Sequence, residues 1–242
     1  MLENLEKTKP IMKRKWSNKN PSSLIPHRSS LTRIIRTLRR EIRKFKTTTL
    51  EQIAQERDPF KVLISCILSL QTRDPVTEQA SAWLYAVAQT PQGLLAIPQA
   101  RIRKLIYPVS FYNIKAGVIH GVCRDIIHRF GGRVPATIEE LTSMKGVGRK
   151  TANIVITLGH RKPGIAVDTH VHRISNRIGL VKTKTPEKTE FALRELLPKR
   201  YWIDYNDLLV TWGQNICTPL SPKCSICAIA KWCQRVGVTR SR

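Results

Sequence analysis

Four cysteines fall in one run near the C-terminus, Cys217-x6-Cys224-x2-Cys227-x5-Cys233. Thiolates at this density bind metal, and the spacing leaves zinc and an iron–sulfur cluster both open. The other two, Cys66 and Cys123, lie in apolar helical contexts and read as core residues. A second constellation sits in the middle of the chain. Lys150 follows Leu141-Thr-Ser-Met-Lys-Gly-Val-Gly-Arg149, where Gly146, Val147 and Gly148 separate two helical patterns. Glycines permit backbone angles closed to other residues, and amides freed at such a turn can hold a phosphate without reading bases. An ordinary αα-hairpin explains the same glycines. A P-loop does not, because Arg149 rather than glycine precedes Lys150 and no strand leads in. Downstream, Asp168 closes the apolar approach Ile165-Ala-Val167 and opens Thr-His-Val-His172. Its carboxylate either emerges from a buried segment as a working group or caps the following helix, a role worth about 1 kcal/mol. His170 and His172 suit contacts to phosphate or to groups around Asp168.

The elements that must carry these residues read as helices. Leu31, Ile34, Ile35, Leu38 and Ile42 recur at three- and four-residue steps. Asp58-Pro59 is a start signal, with the aspartate as N-cap and proline in the first turn. Amphipathic segments follow at Pro75–Ala88, Gln92–Leu94, Arg101–Leu105, Lys115–Phe130, Thr137–Met144, Lys150–Leu158, Asp168–Ile178 and Pro186–Leu197. Val-Ile-Thr runs of period two are nearly absent, so the expected class is all-α, many short helices joined by short loops.

Charge narrows the partners. Forty-two Lys and Arg against seventeen Asp and Glu give a net charge of +25, a field that attracts polyanions and gains from releasing their counterions. No apolar run approaches the roughly 18 residues needed to span a bilayer, so nucleic acid is the expected partner and a membrane is not. The N-terminus carries Glu3 and Glu6 and lacks an apolar core segment, unlike a secretory signal. Residues 1–30 read as a disordered basic tail. The clustered cysteines imply a reducing, cytoplasmic setting with the nucleoid as workplace.

In the hairpin, in Val167-Asp-Thr-His-Val171, in the four cysteines, and in Ser69-Leu-Gln-Thr-Arg-Asp74 and Phe111-Tyr-Asn-Ile-Lys-Ala116, the chain resembles the endonuclease III family of helix-hairpin-helix DNA glycosylases. The likeness runs from about Leu31 to Val236. It implies two helical domains with duplex DNA in the cleft between them: a barrel-like domain over 52–165, and a second domain from 31–51 and 166–236, with 237–242 as a tail. It implies a [4Fe–4S] cluster on Cys217, Cys224, Cys227 and Cys233. It also implies a monomeric repair enzyme that extrudes the damaged nucleotide, with Gln71 and Phe111 filling the gap. Gly146, Val147, Gly148, Arg149 and His170 complete the expected DNA contacts. Lys150 would attack the sugar C1′ with Asp168 as its partner, and the resulting Schiff base would permit β-elimination and a nick 3′ to the lesion.

The resemblance favours damaged, oxidised pyrimidines. A thymine- or uracil-directed mismatch glycosylase shares the scaffold, and Thr142, eight residues before Lys150, stands where a pyrimidine-damage enzyme can carry an acid. An adenine-directed relative lacks the lysine and adds a long C-terminal domain, whereas nine residues follow Cys233 here. A non-catalytic DNA-binding module, in which Lys150 and Asp168 are incidental, is the alternative from a different class.

Overall fold

The protein is described by a computed structural model over residues 28–242. The expected basic tail, residues 1–30, lies outside the described residues except for its last three, which open the first helix. Among the described residues there are twelve α-helices and short 3-10 and π turns, and no strand. In order they are α1 (Arg28–Glu41), α2 (Thr49–Ala54), α3 (Pro59–Ser69), α4 (Asp74–Val87), α5 (Pro91–Ala96), α6 (Gln99–Ile106), α7 (Tyr112–Arg129), α8 (Ile138–Thr142), α9 (Arg149–Ile154), α10 (Thr169–Arg177), α11 (Pro186–Leu196) and α12 (Trp202–Asn215). No helix among them is long and apolar enough to cross a membrane.

Capping chemistry sets many of the boundaries. Asp58 Oδ1 accepts the N–H groups of Phe60 (2.8 Å) and Lys61 (3.3 Å), with Pro59 in the first turn of α3. Threonines cap α2, α5, α8 and α11 in the same way, each accepting from the N–H three residues on. Helix α9 is shorter than the expected Lys150–Leu158 segment because its last part widens into π turns over Val155–Gly159. Two helices lie outside the expectations altogether, α2 and α12, and both matter below.

The apolar faces gather into two cores. The first joins α3 through α9, with Leu63, Ile64, Ile67, Ile102, Ile119 and Val155 at its centre. The second joins Leu31, Ile34 and Leu38 of α1 to Val171 and Ile174 of α10, Leu193 of α11 and Tyr205, Leu208 and Trp212 of α12. Burying each such side chain contributes about 1.5–3 kcal/mol. The chain crosses between the cores in an extended segment: Ala166 packs in the first, its neighbours Ile165 and Val167 in the second. Asp168 is the next residue, so the carboxylate stands where the cores meet. The last residues are not a loose tail: Arg242 N donates to Pro222 O (2.8 Å) and Arg242 O accepts from Ser225 N (2.9 Å).

Candidate active site

A cavity of about 330 Å³ lies between helices of the two cores, with Ser69, Lys150 and Ile154 of α3 and α9 on one side and His170, Asn206 and Asp207 of α10 and α12 on the other. Lys150 and Asp168, eighteen residues apart in the chain, both line it, as do Gln71, His170, Glu51 and Asp207.

The hairpin delivers Lys150. Val147 is 4% exposed and plugs into the first core, its N–H bonded to Met144 O at 3.1 Å. With that side chain buried, the DNA contact expected of Val147 falls to its main chain. Gly146 has φ +89°, and a Cβ there would stand 2.6 Å from Val118 Cγ1, so no other residue fits without displacement. Gly148 precedes α9 and would place a Cβ in open space, which leaves bare backbone beside the lysine.

Asp168 caps a helix and reaches the cavity at once. Its Oδ1 accepts Val171 N–H at 2.8 Å and caps α10, while the residue lines the cavity. One oxygen holds the helix, and no hydrogen bond among the described residues engages the other. His170 also lines the cavity and accepts from Arg173 Nη2 at 3.1 Å. Burial lowers its pKa, and the Arg173 and Lys150 cations lower it further against the pull of Asp168. With Nδ1 accepting, the ring hydrogen of the neutral imidazole sits on Nε2. His172 instead bonds Thr189 Oγ1 at 2.7 Å, a structural link.

The side chain of Arg149, expected as a DNA contact, is engaged within the protein. Its Nε and Nη2 bind Glu190 Oε2 and Oε1 at 2.8 and 2.9 Å, and its guanidinium stacks 4.7 Å over Phe191. It ties α9 to α11. Gln71 and Phe111, expected to fill the gap left by an extruded nucleotide, lie at the surface. Both are exposed, both have left-handed backbones (φ 53° and 58°), and both line a second cavity next to the first. Tyr112, by contrast, packs edge-on to Tyr107 with centroids 5.4 Å apart. Thr142 Oγ1 turns back to Ile138 O (2.8 Å) and is not among the residues walling the cavity.

Two acids in the cavity escaped the sequence reading. Burial pushes the Asp207 carboxyl up to about 6, and the nearby Glu51 carboxylate adds to the effect. Glu51 is raised chiefly by its own burial, and its Oε2 is buried without a partner. They come from α12 and α2, the two helices not anticipated. Such carboxyls can be held neutral and donate a hydrogen bond.

The four C-terminal cysteines all line one further cavity. Among the described residues no three Cys, His, Asp or Glu side chains are grouped as ligands of a single ion. Arg177, only 8% exposed, has no carboxylate partner among the described residues. Its Nη1 donates to Thr218 O (2.7 Å) and reaches Cys217 Sγ (3.5 Å), and Arg235 N–H reaches Cys233 Sγ at 3.4 Å. A buried cation beside sulfur acceptors suits thiolates that carry negative charge. The donor set fits a metal group held by thiolates.

Residues 64–199 match the family described as HhH-GPD superfamily base excision DNA repair protein. Endonuclease III of Thermotoga maritima is 49% identical over 180 residues, covering 74% of this chain and 84% of that protein. Endonuclease III of Haemophilus influenzae is 36% identical over 180 residues, covering 74% and 85%. A non-covalent endonuclease III–DNA complex superposes with TM-score 0.77 at 28% identity, over 86% of this chain and 96% of that one. A trapped covalent endonuclease III–DNA intermediate gives 0.70 at 31% identity, over 77% and 92%. A thermostable thymine-DNA glycosylase shares the fold at 24% identity. With a lysine, a carboxylate and a helix-hairpin-helix assembled at one cavity, the chain belongs to the endonuclease III family of base-excision repair DNA glycosylases and abasic-site lyases.

Proposed function

We propose that this enzyme removes oxidised pyrimidines from duplex DNA and then nicks 3′ to the abasic site, with Lys150 as nucleophile and Asp168 as its partner. The observation that carries the proposal is that both side chains line one cavity. An ammonium has no lone pair to attack with, so Lys150 must first lose a proton, and the Asp168 carboxylate is the acceptor in the same cavity. Passing that proton on to the departing base restores the carboxylate, which offsets positive charge on the sugar as the bond from C1′ to the base breaks. The amine then bonds C1′, the base departs with its bonding electrons and a proton, and the sugar ring opens to a lysine Schiff base. Loss of a C2′ proton expels the 3′ phosphate, giving the nick.

The remaining parts follow from the walls. Glu51 and Asp207 border the same cavity, where a carboxylate accepts from a pyrimidine ring N–H and, when protonated, donates to its oxygens, and saturation of the ring is tolerated because these contacts read its edge. The exposed main chain at Gly146 and Gly148 approaches the phosphates, while Gln71 and Phe111 enter the stack vacated by the extruded nucleotide. We read the two cores as two domains, 52–165 and 31–51 with 166–236, acting as one monomer on DNA in a reducing compartment. Cys217, Cys224, Cys227 and Cys233 would hold a [4Fe–4S] cluster, which supplies structural cross-linking of the C-terminal loop.

Lys150→Ala is expected to abolish strand nicking and borohydride trapping on abasic duplex. A variant that still traps and nicks at the original rate would refute the assignment. A duplex panel of ring-saturated pyrimidines against G·T and G·U mismatches separates this substrate class from the mismatch-directed alternative.

A further inference from the structure

Lys115, on α7, lies outside the Lys150 cavity and was given no part above. It is 6% exposed, and no carboxylate pairs with it among the described residues. Its Nζ donates to Leu68 O in the last turn of α3 at 2.8 Å and to two oxygens of the loop between α3 and α4, Leu70 O at 2.6 Å and Thr72 Oγ1 at 3.2 Å. These bracket Gln71 on both sides. Thr72 Oγ1 in turn donates to Leu70 O (3.2 Å) and accepts the N–H of Ser110 (3.2 Å), the residue before Phe111. One ammonium and one hydroxyl therefore join two loops some forty residues apart, each ending in an exposed side chain with left-handed backbone. L-residues hold that conformation when their surroundings determine it. Burial lowers Lys115 to about 8, which still leaves it charged at neutral pH with all three N–H groups engaged. An ion buried without a counter-ion is costly to keep, and a hydrocarbon side chain would fill the same space without that cost.

We propose that Lys115 is a positioning residue for nucleotide extrusion: its ammonium, relayed by Thr72, locks the Gln71 loop to the Phe111 loop so that both side chains enter the duplex as one preassembled wedge. The inference rests on the reading of Gln71 and Phe111 as gap-fillers. Because a preformed wedge carries less ordering cost at the moment of insertion, its loss acts on extrusion and not on the chemistry of Lys150.

The experiment uses the full-length protein and a duplex with a ring-saturated pyrimidine beside 2-aminopurine. Stopped-flow fluorescence reads extrusion and single-turnover product release reads base excision. Cleavage of an abasic site in a single strand, which has no stack to open, reads the lysine chemistry alone. Lys115→Met and Thr72→Val are expected to slow extrusion at least tenfold and leave single-strand cleavage within twofold. Thr72→Ser, which keeps the hydroxyl, restores extrusion. Gln71→Ala and Phe111→Ala test the wedge itself. If these two slow extrusion while Lys115→Met and Thr72→Val leave it within twofold, the lock is refuted and the wedge stands. If neither of the two slows it, the wedge reading fails and the inference falls with it. Should Lys115→Met misfold, the Thr72→Val and Thr72→Ser pair decides. Equal loss of extrusion and single-strand cleavage in Thr72→Val, or no recovery in Thr72→Ser, overturns the proposal in favour of a general structural role.

Discussion

Glu190→Gln keeps the shape of a side chain that is 3% exposed and removes the charge that two arginines share. Oε2 accepts from Arg149 Nε at 2.8 Å, and Oε1 accepts from Arg149 Nη2 and Arg194 Nε, both at 2.9 Å. In the variant one of those positions becomes an NH₂ group facing N–H donors, so at least one bond is lost outright. Breaking a buried ion pair typically costs about 3–5 kcal/mol. Here the arginine side chains remain 35% and 24% exposed, so water recovers part of the loss, and about 2–3 kcal/mol is the reasoned figure. At about 2–4 °C per kcal/mol for a chain of this size, the melting temperature should fall by about 5–10 °C in differential scanning calorimetry. A functional effect should accompany it. Arg194 Nη2 also donates to Asn153 Oδ1 at 2.9 Å, so the same network holds α9, and with it Lys150, against α11. Single-turnover nicking of abasic duplex should slow at temperatures well below the transition. A melting temperature within about 1 °C of the parent protein would refute the view that this buried pair joins the two cores.

Gly146→Ala is expected to cost about 2–4 kcal/mol, the sum of left-handed backbone strain and overpacking against Val118, and to weaken duplex binding, measured by anisotropy, whereas Gly148→Ala should leave stability nearly unchanged because its Cβ meets open space. For Asp207 the folded value near 6 lies above that of an unfolded aspartate, so the neutral acid is favoured by folding and stability falls as pH rises from about 4 to about 6. Asp207→Asn should therefore raise the melting temperature at pH 7 and show no such gain at pH 4, while base excision slows; a gain that persists unchanged at pH 4 would remove the titration argument. Purified protein should be brown with about four irons per chain, and Cys224→Ser should lose that absorbance and stability together; stoichiometric zinc in a colourless protein would overturn the cluster assignment.

Much of this protein is written locally. The N-cap Asp58, the period of Leu31, Ile34, Ile35 and Leu38, the glycines of the hairpin and the spacing of the four cysteines each act through neighbours within a few residues, so they can be read without coordinates. Lys150 and Asp168 stood out on the same grounds. Helix α12 has as plain a period, Tyr205, Leu208, Leu209 and Trp212, yet the helices expected from the sequence end at Leu197. Its apolar face was legible; its polar face was not, because Asn206 and Asp207 look like solvated residues until another helix closes over them. The same holds for Glu51, for Glu190 between two arginines, and for Lys115 beneath the Gln71 loop. Sequence alone determined the helical class, the hairpin and the donor sets, since those depend on short-range backbone preferences and residue chemistry. Tertiary structure decided which charges lost their water and what they faced once they had lost it, because burial and the partners of a buried ion are properties of packing between segments far apart in the chain.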